Sequence, residues 1–257
     1  MIMALIVIGD EMLISIYQYY QPAQVHPIYR IPAKQSDDTL RVLFIGDSWA
    51  AYHQVHDSIL AMMLSSSIYK PCVVKSIGNV GAKSKEVYER LFSSTKPFIR
   101  EHPDYCIISA GINDAVAKMG VDYYTSNYMN LLDFLISQEI VPIVLDIPDV
   151  DYYAVFSRET LVEKFRHRMS AVVNSVGDFS FLTYRKALTD KLESSEKGDS
   201  IIYIKASKWI SSGTKYFLED GIHLNDKGYQ LLDSCLSDQI RISIQKQHAP
   251  YAPQAPV

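Results

Sequence analysis

Cysteine is scarce in this chain. Its three residues, Cys72, Cys106 and Cys235, are odd in number and never fall in C-x-x-C spacing, which excludes a disulfide framework and a thiolate zinc site. Cys72 and Cys106 lie in apolar runs and read as small buried hydrophobes. An excess of positive charge is also missing. Lysine and arginine total 25 against 29 aspartates and glutamates, a net charge of −4, so no electrostatic argument points to nucleic acid as a partner. Three catalytic signatures are absent too. Without G-x-S-x-G, a P-loop or H-E-x-x-H, the α/β-hydrolase elbow, the nucleoside triphosphatases and the zincins drop out. Nor is there an uninterrupted spanning segment. Residues 1–20 are apolar and near the right length, but Asp10 and Glu11 sit in the middle and no Lys or Arg precedes them. Each acid at a bilayer centre costs about 2.5–3.5 kcal/mol on insertion scales. A marginal anchor, a signal-like segment and a helix packed on the domain all fit this stretch. The first two, with weak membrane association and a cell-envelope location, are the expectation.

What is present describes one sizeable domain. The chain has 257 residues, 48% of them hydrophobic and 21% charged, far from the composition of a disordered protein. Residues 21–40 carry prolines and no sustained period and read as a linker. A monomeric domain is expected over 41–245, with a proline-rich disordered tail over 246–257. Within the domain, apolar runs at 42–45, 72–77, 103–110 and 140–147 read as strands, and a short fifth is expected near 181–184. Helices are expected between them, over 50–68 with Val55, Ile59, Met62 and Met63 inward, over 84–92, 123–139 and 158–176, and last over 226–244. Residues 149–157 read as a loop. Strands alternating with helices predict an α/β fold with a parallel sheet covered on both faces, and ligands in such sheets bind at the carboxyl ends of the strands.

Polar residues cluster at those ends. Ser48 follows the first strand in Gly46-Asp47-Ser48 and can be a nucleophile at a strand-to-helix corner or simply a helix cap. Asp220 and His223 are three apart, a spacing that lets the carboxylate hold one imidazole nitrogen while the other accepts a proton from a serine; an isolated D-x-x-H is more often a capped turn. Gly81 and Asn113 are turn residues that could supply a backbone N–H and an amide to a carbonyl oxygen acquiring charge, beside the N–H of Ser48. His53, His56 and Asp57 lie close in sequence, but no further ligands complete a set, so no metal and no cofactor is expected. Tyr152 and Tyr153 can stack on a sugar ring or pack within their loop.

Taken together, Gly46-Asp47-Ser48, Gly81, Gly111-Ile112-Asn113-Asp114 and Asp220-Gly221-Ile222-His223 fall in the order of the blocks of the SGNH hydrolase family, the GDSL-type esterases, which the chain resembles over about residues 41–244. The resemblance implies a flavodoxin-like three-layer α/β/α domain of five mostly parallel strands. It implies Ser48 as nucleophile, His223 as base, Asp220 as its orienter and Ser48, Gly81 and Asn113 as oxyanion donors. Two departures stand out. Trp49 replaces the leucine that commonly follows the family serine, which makes it a candidate substrate-binding residue in the pocket wall, and Gly78 competes with Gly81 for the second-block role. The expected activity is hydrolysis of acetyl or other small acyl esters on a carbohydrate or cell-envelope substrate, as in many bacterial members. An O-acyltransferase using the same site, or a lipid esterase, is the alternative.

Overall fold

The computed structural model describes residues 17–34, 37–176, 181–210, 212–213 and 215–248. Most of the apolar stretch 1–20 and of the tail 246–257 therefore lies outside the described residues. Four strands sit where the apolar runs place them: β1 (Leu40–Gly46), β2 (Cys72–Gly78), β3 (Tyr105–Ser109) and β4 (Val141–Leu145). With the short β5 (Ile202–Ile204) they form a parallel sheet of order β2-β1-β3-β4-β5, the flavodoxin-like arrangement. Helices α1 (Ser48–His53) and α2 (Asp57–Ile68) follow β1, and α3 (Ser84–Arg90) and α4 (Lys96–Ile99) follow β2. After β3 come α5 (Ile112–Val116) and α6 (Val121–Ser137). After β4 come α7 (Tyr152–Ser157), α8 (Leu161–Val173) and α9 (Phe181–Glu193), and α10 (Asp226–His248) ends the described chain. Helix α10 packs on α2 over one face of the sheet, while α3 and α9 pack on α6 over the other. The sheet is thus buried on both faces, which is why β3 is apolar at nearly every position. Its core includes Phe44, Ile107, Ile108, Ile143 and Val144, all essentially inaccessible.

Three expectations are corrected. Residues 181–184 belong to helix α9, not to a strand, because Phe181, Tyr184, Leu188 and Leu192 recur at helical spacing and are buried together. The fifth strand is Ile202–Ile204 instead. The loop over 149–157 contains α7, whose first turn is capped by Asp151 accepting from the N–H of Ala154 at 3.0 Å. The helix over 50–68 is broken by a single 3-10 turn at Gln54–His56; Leu60 and Leu64 face the core, Ile59 and Met63 are half-buried, and Val55, in the turn, and Met62 face water.

A polar hub lies at that break, under α1. The inaccessible imidazole of His53 meets Asp233 Oδ1 of α10 at 2.6 Å through Nε2, and Ser76 Oγ of β2 at 2.8 Å through Nδ1. Burial opposes a charge on His53, but its bonds to Asp233 and Asp57 outweigh that and raise its pKa. A histidine satisfied in this way takes the inward position that an apolar side chain would otherwise hold.

Residues 21–34 have no regular secondary structure, yet they are strapped across α3 and α6. The N–H groups of Ala23, His26 and Ile31 donate to Asn127 Oδ1, the Tyr88 hydroxyl and Gln138 Oε1 at 2.7, 3.0 and 3.1 Å. The Tyr29 hydroxyl donates to Leu91 O, and its ring packs against Phe92 and Phe134.

Candidate active site

Sheet register gathers three turns at one edge. Gly46, at the end of β1, is paired with Gly78 on one side and Ser109 on the other. The N–H of Asn79 bonds Gly46 O at 3.0 Å and the N–H of Asp47 bonds Ser109 O at 3.1 Å. Ser48, Gly81 and Asn113 follow these paired residues by two to four positions, so the three turns that carry them start side by side.

Ser48 opens α1 and is nearly buried. It is not the cap of that helix. Asp47 is, with Oδ1 accepting from the Trp49 N–H at 3.0 Å and from the Ser109 hydroxyl at 3.1 Å. The Ser48 N–H finds no acceptor among the described residues.

Asp47 also carries a pH signature. Burial lifts its carboxyl to about 7, against the pull of its bonds from Trp49 and Ser109. The folded protein therefore holds this proton more tightly than the unfolded chain, where an aspartate titrates near 4. Its contribution to stability is full below about pH 4 and is lost as the pH rises through about 7. Asp47→Asn keeps an oxygen for both bonds and loses the titration. Between about pH 4 and pH 7, urea unfolding should show wild type falling behind Asp47→Asn by on the order of 3 kcal/mol. A constant difference across that range would refute the assignment.

Gly78 and Gly81 play different parts. A side chain at Gly78 would strike the backbone of α1, with Asp47 O at 2.2 Å and Ala51 N at 2.1 Å from its Cβ, so this glycine is required by close strand-to-helix packing. Gly81 has φ +78 and open space where a Cβ would be, and its N–H has no acceptor among the described residues. Asn113, on α5, is fixed next to it: its Nδ2 donates to Ala82 O at 3.0 Å, leaving the second amide hydrogen unused. The next residue, Asp114, is fully buried and receives Ser84 N–H and Ser84 Oγ, tying α5 to the start of α3. Burial lifts its carboxyl to about 6, against those same bonds.

The Asp220–His223 turn comes in from the segment before α10. Asp220 Oδ1 accepts from the N–H groups of Ile222 and His223, both at 2.9 Å, and Oδ2 meets His223 Nδ1 at 2.7 Å. Burial raises the Asp220 carboxyl, but these three bonds outweigh it and hold it below the ordinary carboxylate value. The imidazole is thereby oriented with Nδ1 as the donor and Nε2 as the free acceptor. Two residues of α1 pin the turn. Trp49 Nε1 donates to Ile222 O at 2.9 Å, and the Tyr52 ring meets the His223 ring edge-on with centroids 5.0 Å apart. Tyr52 lies one helical turn from Ser48 on the same face, so His223 is brought to the side of α1 that carries the serine.

The structure thus gathers Ser48, Gly81, Asn113, Asp220 and His223 at one sheet edge. The Trp49 indole is only 2% exposed and braces the histidine turn through its bond to Ile222 O. Tyr153 lies on α7, whose cap Asp151 donates its N–H to Gly221 O, and is 84% exposed. The side chain of Tyr152 lies outside the described residues. Sequence reasoning missed Tyr52 and Asp114 as positioning residues. Their signals were local, a tyrosine four residues after the serine and an acid directly after Asn113. Among the described residues no group of three or more His, Cys, Asp or Glu side chains is arranged to hold a metal.

A parallel α/β/α sheet with this edge defines a carboxylic ester hydrolase. The chain belongs to the GDSL-like Lipase/Acylhydrolase family, which matches residues 44–231. Among solved structures it is similar to the psychrotrophic esterase EstA of Pseudoalteromonas sp., in a form inhibited by monoethylphosphonate. They share 15% identity over 81% of this chain and 100% of that one, with a TM-score of 0.56. A GDSL-like lipase from Bacteroides thetaiotaomicron shares 15% identity over 79% and 88% of the two chains, TM-score 0.53. A lipase from goat rumen metagenome shares 15% over 78% and 97%, TM-score 0.54. No curated protein matches the chain in sequence.

Proposed function

We propose that the protein is a serine esterase that removes acetyl or similarly short acyl groups from a carbohydrate or other cell-envelope substrate. The observation that carries this reading is the convergence of the serine turn with an oriented histidine: Trp49, next to Ser48, bonds Ile222 O in the Asp220–His223 turn, and Tyr52, one helical turn on, meets the His223 ring. In this reading Ser48 Oγ attacks the ester carbonyl and His223 Nε2 takes its proton. Asp220 stabilises the imidazolium, and the N–H groups of Ser48 and Gly81 with the Asn113 amide receive the oxyanion. The alcohol leaves with the proton from His223, and water, activated by the same imidazole, releases the acid and restores Ser48.

The preference for short acyl chains is part of this proposal. A series of p-nitrophenyl esters tests this. The acetate should be the best substrate, with kcat/KM lower by on the order of 100-fold for the octanoate, and acetate should be released from acetylated sugars. Faster cleavage of the octanoate, or transfer of acetyl to added glycan in place of its release, would overturn the reading.

A further inference from the structure

Helix α8 is built inside out. Its inward side is polar: Ser170 Oγ and Asn174 Nδ2 both donate to Lys118 O, at 2.9 and 3.1 Å, and His167 Nδ1 meets Glu159 at 2.6 Å. Its outward side is apolar. Leu161, Val162, Phe165, Met169, Val172 and Val173 are all exposed, Leu161 by 85% and Phe165 by 68%. At 100° per residue these six fall within one stripe about 120° wide. Arg166 borders the stripe on one side, and Lys164 and Arg168 border it on the other, all three exposed. The nearby acids are turned away, Glu159 to His167 and Glu163 into the cap with Thr160.

An outward apolar stripe this wide on a helix of a water-soluble domain asks for a covering. Its charge pattern selects the kind. A second copy packed stripe to stripe would set cationic borders against cationic borders with no acids to answer them. An anionic lipid surface answers them directly: apolar side chains enter the acyl boundary while lysine and arginine reach the headgroups. A second feature agrees. Tyr20, Gln21 and Pro22 line one surface depression with Asn174, Ser175 and Val176 at the carboxyl end of α8, so the aromatic start of the described chain lies beside this helix.

We propose that the outer face of α8 docks on an anionic bilayer, with Phe165 and Val172 as inserted anchors and Lys164, Arg166 and Arg168 as headgroup contacts. This inference does not rest on the esterase reading. The helix is nevertheless close to the candidate site, because Arg158, just before it, donates to Glu219 O beside the Asp220–His223 turn at 2.9 Å.

Sedimentation of the full chain with vesicles tests it. Vesicles of phosphatidylcholine mixed with phosphatidylglycerol should pellet the protein, and phosphatidylcholine alone should pellet far less. Added salt should weaken the binding. Arg166→Gln should lower the partition coefficient about five-fold, and Phe165→Glu with Val172→Glu at least about ten-fold. All three side chains are exposed, so circular dichroism should show the variants folded. Binding that is absent from both vesicles, or unchanged in Phe165→Glu/Val172→Glu and therefore owed to residues outside α8, overturns the proposal. So does a wild-type dimer in light scattering that the same pair of substitutions makes monomeric.

Discussion

Ser48→Ala should abolish ester hydrolysis and leave the fold intact. The expected loss in kcat is on the order of 10⁴- to 10⁶-fold, the range for removing the nucleophile of a serine hydrolase, with residual rate supplied by the oxyanion donors. The accompanying stability is what makes the experiment decisive. A serine at the head of a helix is often its cap, and losing a cap costs about 1 kcal/mol. Here Asp47 fills that role, through Oδ1 to the Trp49 N–H, and the Ser48 N–H proposed as an oxyanion donor is backbone and survives the substitution. Urea midpoints of Ser48→Ala and wild type should therefore agree within about 0.5 kcal/mol. A fluorophosphonate probe should label wild type and not the variant. Retained p-nitrophenyl acetate hydrolysis in pure Ser48→Ala protein would remove Ser48 from the mechanism.

Asp220→Asn should be nearly as damaging, for a subtler reason. Asp220 has two jobs, with Oδ1 holding the turn through two N–H groups and Oδ2 receiving His223 Nδ1. An asparagine keeps the first by presenting its oxygen to Ile222 and His223. Its NH₂ then faces Nδ1, which must become an acceptor, and the imidazole proton moves to Nε2. A histidine in that tautomer cannot take a proton from Ser48. The expected outcome is a fall in kcat of about 10⁴-fold, as for the analogous change in serine proteases, with KM changed little and the melting temperature close to wild type. A loss of less than ten-fold would mean that Asp220 serves the turn alone.

Ser48, Gly81 and Asn113 could be placed from the sequence because each follows a strand-like apolar run, where a parallel sheet buried on both faces leaves little ambiguity, and the Asp220–His223 pair because it stands just before the last helix. Phe44 and Ile45 could hardly be anything but strand, and Asp47-Ser48 had to follow at its exposed edge. Legibility failed where burial was polar or the element short. Hydrophobicity alone gives the helix after Ser48 an inward face of Val55, Ile59, Met62 and Met63, of which Val55 and Met62 face water, whereas His53 is inward by satisfying both ring nitrogens with Asp233 and Ser76, partners 180 and 23 residues away. The window 181–184 was too short to separate strand from helix; Leu188 and Leu192, further along, settle it. The sequence sets Trp49 beside the serine and is silent on what its indole bonds. Its contact with Ile222, 173 residues on, cannot be seen until the chain is folded.

The strap over α3 and α6 changes where this protein can be cut. A fragment starting at Leu40 would retain every strand of the sheet and every candidate catalytic group, and on paper it is the minimal enzyme. It would also uncover Tyr88, Phe92 and Phe134, the aromatic wall that His26 and Tyr29 now shield. Such a bared wall is adhesive. Anyone trimming the gene for expression should keep residues 17–34 as a sheath, and should treat aggregation of a shorter version as a consequence of the cut.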